Sequence, residues 1–228
     1  MLGVLGAMAV EVEAIWAAMD NTTTQDHLGI TVTTGQLEGT PLVVARSGIG
    51  KVNAALATVA LVQAGATAVV FTGMAGGVGD RVHIGDAVVA TDLVQHDVDA
   101  TEMGECLGQI PGEPPSWPAD PGLADALAEA AASEAATVHR GRIASGDVFV
   151  ADPDRAHDIA VLFDALAVEM EGAAAAQAAA KLGIPLGVLR WISDAADDEA
   201  VVDFPAFVDR VAALDLAVVR SLVIDANR

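Results

Sequence analysis

Two apolar runs in this chain end in acidic residues, which are costly at the buried end of a strand unless something there uses them. Leu166-Ala167-Val168 runs into Glu169-Met170-Glu171, and the run Leu186 to Ile192 continues, through Arg190-Trp191-Ile192, into Ser193-Asp194. In open α/β sheets, ligands sit at the carboxyl ends of strands, where the chain turns into the next helix. A carboxylate fixed there suits vicinal hydroxyls such as those of a ribose. Two carboxylates at neighbouring strand ends, Glu171 and Asp194, can also be driven to different proton affinities, one serving as acid and one as anion. Surface ion pairing, the plainer use for each, is weakened by the scarcity of basic residues.

Three further strand exits collect polar or glycine-rich residues. Gly6-Ala7-Met8-Ala9-Val10-Glu11 follows the first strand. Glu11 falls in a first helical turn, where a carboxylate either does chemistry or merely complements the helix dipole. Thr72-Gly73-Met74-Ala75-Gly76-Gly77 reads as a glycine-rich exit that admits a ligand to the backbone or simply turns tightly; its spacing is not a dinucleotide fingerprint. Ser145-Gly146-Asp147-Val148-Phe149-Val150 sets an aromatic ring beside backbone groups, which suits a flat heterocycle, although Phe149 alone would read as core. His96, Asp97 and Asp99 invite a metal reading, but His27, His83, His139 and His157 stand at no ligand spacing from them. No Gly-x-Ser-x-Gly elbow supports acyl transfer by serine.

The elements that must carry these groups alternate along the chain. Strand patterns are expected at Leu2 to Leu5, Ala68 to Phe71, Asp86 to Val94 and Val138 to Ala144, with a hairpin of Ile30 to Leu37 and Pro41 to Arg46 turning at Glu38-Gly39-Thr40. Helices are expected from about Val10 to Met19, Lys51 to Ala64, Pro121 to Ala132, Gly172 to Lys181 and Phe204 to Ile224, several with Pro at the start or Gly at the end. Such alternation predicts an α/β fold, one domain over residues 1–228, with a mostly parallel or mixed twisted central sheet covered by helices. Gly104 to Pro118 is too long for a routine connection and reads as a lid or interface segment.

Composition excludes several classes. Thirty-two acidic against 11 basic residues give a net charge of −21, a field that repels phosphate backbones and anionic headgroups, so neither nucleic acid nor membrane is expected as partner. Compositional bias with a well-solvated surface explains the charge, with adaptation to high salt as the alternative. Hydrophobic residues make up 53%, yet no uncharged apolar run reaches the ~18 residues that span a bilayer. The opening Met1-Leu2-Gly3-Val4-Leu5 lacks a basic leader and soon meets Glu11, so cytoplasmic residence is expected. Cys106 is the sole cysteine and can form no intrachain disulfide.

Taken together and in order, these segments resemble the purine nucleoside phosphorylase/uridine phosphorylase superfamily. Within it they are most similar to the 5′-methylthioadenosine/S-adenosylhomocysteine nucleosidases. The resemblance is carried by Gly6-Ala7-Met8 with Glu11, Ser47-Gly48-Ile49-Gly50-Lys51, Thr72-Gly73 with Ala75-Gly76-Gly77, and His96-Asp97. Gln109-Ile110-Pro111-Gly112, Ser145-Gly146-Asp147, Val168-Glu169-Met170-Glu171 and Arg190 with Ile192-Ser193-Asp194 complete it, over nearly the whole chain. It implies hydrolysis of the N-glycosidic bond of a small-molecule nucleoside, with no cofactor and no metal. Asp194 would protonate adenine N7 and Glu11 would activate water. Glu171 would hold the ribose hydroxyls, and Met170 would lie against the sugar. Phe149 and Val150 would frame the base, with Met8, Ile49 and Gly76 lining the site. Ser193 would orient Asp194, and Arg190 would pair with Glu11.

Two departures stand out. Met74 occupies a position where the family usually carries a water-binding serine. Met103 and Glu105 replace aromatics that close the 5′ pocket from a partner subunit, an arrangement that also implies a homodimer. Three rival readings remain open at this level: a phosphorylase using phosphate, a hydrolase of futalosine-type nucleosides, and a catalytically silent nucleoside-binding protein.

Overall fold

The computed structural model describes residues 1–27, 29–197 and 200–225, with the side chains of 200–206 and 209 set aside. β1 (Leu2–Gly6) leads into α1 (Ala9–Ala18), and β2 (Asp20–His27), β3 (Ile30–Leu37) and β4 (Thr40–Arg46) form an antiparallel meander. α2 (Lys51–Gln63) returns the chain to β5 (Ala68–Phe71), after which β6 (Met74–Gly77) and β7 (Ala87–Gln95) follow. A 3-10 turn at Thr101–Met103 precedes the two-residue β8 (Trp117–Pro118). The remainder alternates: α3 (Pro121–Ala131), β9 (Val138–Ser145), α4 (Pro153–Phe163), β10 (Ala165–Glu169), α5 (Gly172–Leu182), β11 (Leu186–Asp194) and α6 (Ala200–Asp225).

The fold is α/β with a mixed sheet of eleven strands in the order β2-β3-β4-β1-β5-β11-β6-β10-β9-β7-β8. β11 belongs to both halves. Its first residues, Leu186 to Val188, run parallel to β5, whereas Leu189 to Trp191 pair antiparallel with β7 and Trp191 onward runs parallel to β6. Through the β7–β11 pairing, the second half closes into a ring of β11, β6, β10, β9 and β7. A closed ring presents several strand ends to one mouth, which is what a convergent site requires.

Strand alternation sorts side chains between two apolar layers. Leu5, Phe71, Val188 and Ile192 face α2 and α5, where the small side chains of Ala173 to Ala176 and Ala179 let the helices lie close. Val4, Val70, Leu189 and Trp191 face the other way, toward Val12 and Ile15 of α1 and Val211, Val218 and Val219 of α6. Arg190 therefore points to the first layer and Trp191 to the second.

Most expected elements form within a residue or two, and the differences are instructive. β2 was not anticipated because Asp20 to His27 lacks apolar alternation; it is an exposed edge strand. α4 was not anticipated either, although Asp152 caps it by accepting from Arg155 N–H at 2.8 Å and Pro153 opens it. Met74 to Gly77 is not a turn: it is β6, antiparallel to β10 and parallel to β11. Consequently β10 and β11 are not neighbours, and Glu171 and Asp194 lie on opposite sides of β6. The expected loop at Gly104 to Pro118 ends in β8, where Leu93 of β7 lies opposite Trp117. No described helix is long and apolar enough to cross a membrane.

Gly187 shows how tightly β11 is seated. A Cβ there would lie 2.8 Å from Leu123 Cβ and 2.9 Å from Leu127 Cδ1 of α3. Gly187→Ala is expected to cost about 1–3 kcal/mol, as overpacking does, measured by urea denaturation. Wild-type stability would mean that α3 slides freely on the sheet.

Candidate active site

A cavity of about 190 Å³ opens where β1, β6, β10 and β11 end. Its wall includes Ala7, Met8, Glu11, Ile49, Met74, Gly76, Phe149, Val150, Glu169, Met170, Glu171, Ser193 and Asp194. Ten of the eleven residues expected from sequence therefore meet there. The exception is Arg190, which is buried behind the wall.

Glu11 sits in the first turn of α1 and is held by three backbone donors. Ala7 and Met8 N–H reach its Oε2 at 2.7 and 2.9 Å, and Met74 N–H reaches Oε1 at 3.1 Å. The site needs glycine at position 73: a Cβ there would lie 2.5 Å from Glu11 Oε1, and the backbone φ is +152°. Burial raises the proton affinity of Glu11; the three N–H groups and the field of Arg190 oppose that rise without cancelling it. Oε1 carries only one of these bonds, which leaves it the freer acceptor.

Asp194 closes β11. Its Oδ1 accepts from Ala196 N–H at 2.9 Å, and its Oδ2 lies 2.7 Å from the Ser193 hydroxyl. The first contact is made by holding Ala196, which is fully buried, at φ +53°, a left-handed conformation that costs an alanine about 1–2 kcal/mol. Ser193 is thus a hydrogen-bond partner of Asp194.

Glu171 stands on the opposite wall, at the start of α5. Gly50 N–H donates to its Oε1 at 2.6 Å. Burial, with the charge of Glu169 next, pushes its pKa up to about 8. Phe149 is 51% exposed, so the ring projects at the mouth as a stacking surface and is not core. Ile49 across from it is 54% exposed.

The expected Arg190–Glu11 pairing is corrected. Arg190 Nη2 lies 2.7 Å from Glu169 Oε2, and its guanidinium stacks 4.0 Å from the centre of the Phe71 ring. β11 alternation aims Arg190 at that layer, so it reaches Glu11 only through its field. Glu169, which the sequence left undefined, is the centre of a network. It accepts from Glu171 N–H at 3.2 Å, from Gly172 N–H at 2.8 and 3.0 Å, and from the Ser145 hydroxyl. Ser145 Oγ in turn accepts from Ala173 N–H at 2.7 Å. Glu169 and Ser145 together satisfy the first N–H groups of α5, whose own cap residue supplies no side-chain bond. Asp97 pairs with Lys51 at 2.7 Å and accepts from Asp147 N–H, while Asp99 binds Thr101. Both acids of the metal reading thus have structural partners.

The chain is similar to known proteins along its length. The family model described as the phosphorylase superfamily matches residues 1–224. A 5′-methylthioadenosine/S-adenosylhomocysteine nucleosidase of Bacillus thuringiensis is 40% identical over 215 residues, covering 92% of this chain and 93% of its own. The solved 5′-methylthioadenosine/S-adenosylhomocysteine nucleosidase of Neisseria meningitidis, in complex with methylthio-immucillin-A, superposes with a TM-score of 0.93 at 38% identity, covering 98% of both chains. The futalosine hydrolase of Helicobacter pylori superposes with a TM-score of 0.92 at 36% identity, covering 98% of this chain and 97% of its own.

A carboxyl whose folded pKa is raised binds its proton more tightly in the native than in the unfolded state. Stability then falls as pH rises from the unfolded value, near 4.5, through the folded value of about 8. Glu171→Gln removes this liability. The ligand-free variant is expected to melt higher at pH 8, each kcal/mol gained raising Tm by about 2–4 °C in a domain of this size, with little gain below pH 5. An unchanged melting curve at pH 8 would contradict the raised pKa.

Proposed function

The chain belongs to the phosphorylase superfamily, and we propose that it is a nucleosidase, hydrolysing the N-glycosidic bond of 5′-thio-substituted adenosines to adenine and the 5-thioribose. The substrates meant are 5′-methylthioadenosine and S-adenosylhomocysteine. One observation carries hydrolysis over phosphorolysis: no arginine or lysine lines the described cavity, and Glu11 stands where an attacking anion would approach. Phosphate would need cationic donors. Water needs a base.

The positions of the side chains around the cavity support the following roles. Adenine lies against Phe149, with the backbone of Val150 beside it, and Asp194 delivers a proton to N7, making the base a neutral leaving group. Ser193 and Ala196 N–H then stabilise the carboxylate left behind. As the C–N bond breaks, positive charge develops on the ribose, and the surrounding carboxylates stabilise it. Glu171 accepts from the ribose hydroxyls, and Met170 packs on the sugar. Glu11 Oε1 takes the proton from the attacking water; its raised proton affinity brings it nearer to neutral pH, where a general base works best. Arg190 bears on Glu11 from behind, its field opposing the rise in proton affinity that burial causes. Met8, Ile49 and Gly76 shape the remaining wall. Met74 offers Glu11 only its backbone N–H, so water placement falls to the carboxylate itself.

The futalosine-type reading keeps support from the Helicobacter pylori structure and from Met103 and Glu105 at the 5′ end. A homodimer accounts for exposed apolar side chains: Ile49 and Phe149 at the cavity, Val52 and Leu56 one turn apart on α2, and Met103, which is 72% exposed. A cytoplasmic, methionine-salvage setting fits a substrate of this kind.

Glu11→Gln and Asp194→Asn are each expected to lower adenine release at least ~100-fold, the scale of a lost acid or base, while the circular dichroism spectrum stays native. Near-wild-type turnover in either variant would overturn its role. Adenine release is expected to be independent of phosphate; strict phosphate dependence with ribose-1-phosphate as product would replace hydrolysis with phosphorolysis. Comparing kcat/KM for 5′-methylthioadenosine, S-adenosylhomocysteine and futalosine ranks the 5′ groups.

A further inference from the structure

Behind Glu11, on the face of the sheet away from the cavity, lies a carboxyl that the reaction does not use. Asp215 of α6 is 0% exposed. Its Oδ1 accepts from the indole Nε1 of Trp191 at 2.8 Å, and its Oδ2 faces the Thr72 hydroxyl without a well-formed hydrogen bond among the described residues. The Thr72 hydroxyl beside it is also fully buried and also unsatisfied. Two orphaned buried polar atoms side by side are costly. A proton on Asp215 Oδ2 donated to Thr72 Oγ1 satisfies both atoms, as would the Thr72 hydroxyl donated to an ionised Asp215; full burial in an apolar layer favours the neutral acid.

The two groups that Asp215 would then hold flank one short segment. Thr72 begins it, and Trp191 N–H donates to the carbonyl of Gly73 at 2.8 Å. Met74 ends it, with its N–H on Glu11 Oε1 at 3.1 Å. We propose that Asp215 is a positioning residue for Glu11: held as the neutral acid, it grips Trp191 and Thr72 and so fixes the Thr72–Met74 segment that presents the Met74 N–H to the base. The proposal rests on the reading of Glu11 as that base.

The surroundings agree. The charged groups that face Asp215 are Glu11 of α1 and Arg190 of β11. α3, also packed on α6, contributes Ala124, Leu127, Ala130 and Ala131 to the same apolar layer. Burial first, and the charge of Glu11 second, raise the proton affinity of Asp215 well above that of an ordinary aspartate, against smaller opposing effects of Trp191, Arg190 and Thr72. An ionised Asp215 would set a second negative charge behind the base and leave Thr72 as its only other donor.

Asp215→Asn retains an acceptor for Trp191 and a donor for Thr72, whereas Asp215→Ala retains neither. In Asp215→Ala the Met74 N–H loosens, a hydrogen bond that lowers the Glu11 pKa weakens, and the acidic limb of kcat/KM is expected to move up by about 0.5–1 pH unit. Asp215→Asn is expected to restore the limb to its wild-type position. A downward shift in the asparagine variant would mean that Asp215 is an anion in the native protein, and an unshifted limb in the alanine variant would mean no coupling; either result overturns the proposal. Should Asp215→Ala fail to fold, the infrared difference spectrum of wild type minus Asp215→Asn at neutral pH decides. A protonated-carboxyl carbonyl band is expected, and a carboxylate band in its place overturns the proposal. If Glu11→Gln keeps its activity, the base assignment fails by itself, and the infrared result still reports the state of Asp215.

Discussion

A guanidinium and a carboxylate buried together in the sheet, Arg190 and Glu169, hold the ligand-facing end of the molecule in one arrangement. The pair is almost completely out of water, at 2.7 Å. Taking two ions into such a place is repaid only when their remaining donors and acceptors are also met. Here they are: Phe71 lies under the guanidinium, and the backbone N–H groups of Glu171 and Gly172 and the Ser145 hydroxyl converge on the carboxylate. Removing one partner of such a pair costs about 3–5 kcal/mol, and the loss would fall on the junction of β10 and α5. Glu171 starts at that junction. Its position is therefore set two residues upstream, by a group that need not touch the ligand.

Around this pair the carboxyls outnumber the cations. Glu11, Glu169, Glu171, Asp194 and Asp215 are all buried, and Arg190 is the buried cation among them. Burial is the largest cause of the raised proton affinities of Glu11, Glu171 and Asp215, and a neighbouring carboxylate adds to it at Glu171 and Asp215. In the proposed hydrolysis, a cation-like sugar relieves this excess of buried carboxyls. Stabilisation of that kind is largest for the species on the way to bond cleavage and smallest for the neutral nucleoside, which is the differential that catalysis needs.

Much of this was legible in the sequence because the site is built at strand ends, and strand ends are marked there by apolar runs breaking into charge or glycine. Glu11, Glu171 and Asp194 could be found that way, and ten of the eleven expected residues line one cavity. What sequence could not supply was direction. Arg190 was expected to reach Glu11, yet strand alternation in β11 sends it to the opposite layer, onto Glu169. Met74 to Gly77 looked like a turn because a strand of four small or flexible residues carries no β pattern; its pairing comes from β10 and β11 alone. β2 was hidden for a similar reason, since its polar residues reveal a strand only once β3 is beside it. α4 is different: Asp152-Pro153 was a readable cap signal. Asp215 had no signal at all, because one aspartate in an apolar helix reads as a surface position until Trp191 is seen against it.

The two margins of the sheet are unlike its centre. One ends in β2, which is exposed up to its half-buried last residue His27 and carries Asp20 and Asp26 among threonines; the other ends in β8, two residues long and closed by Pro118. Strand margins with open backbone groups recruit further strands, and charge, brevity and proline are the means by which that recruitment is blocked. Both borders are thus guarded against the addition of further strands, one by charge and the other by brevity and proline.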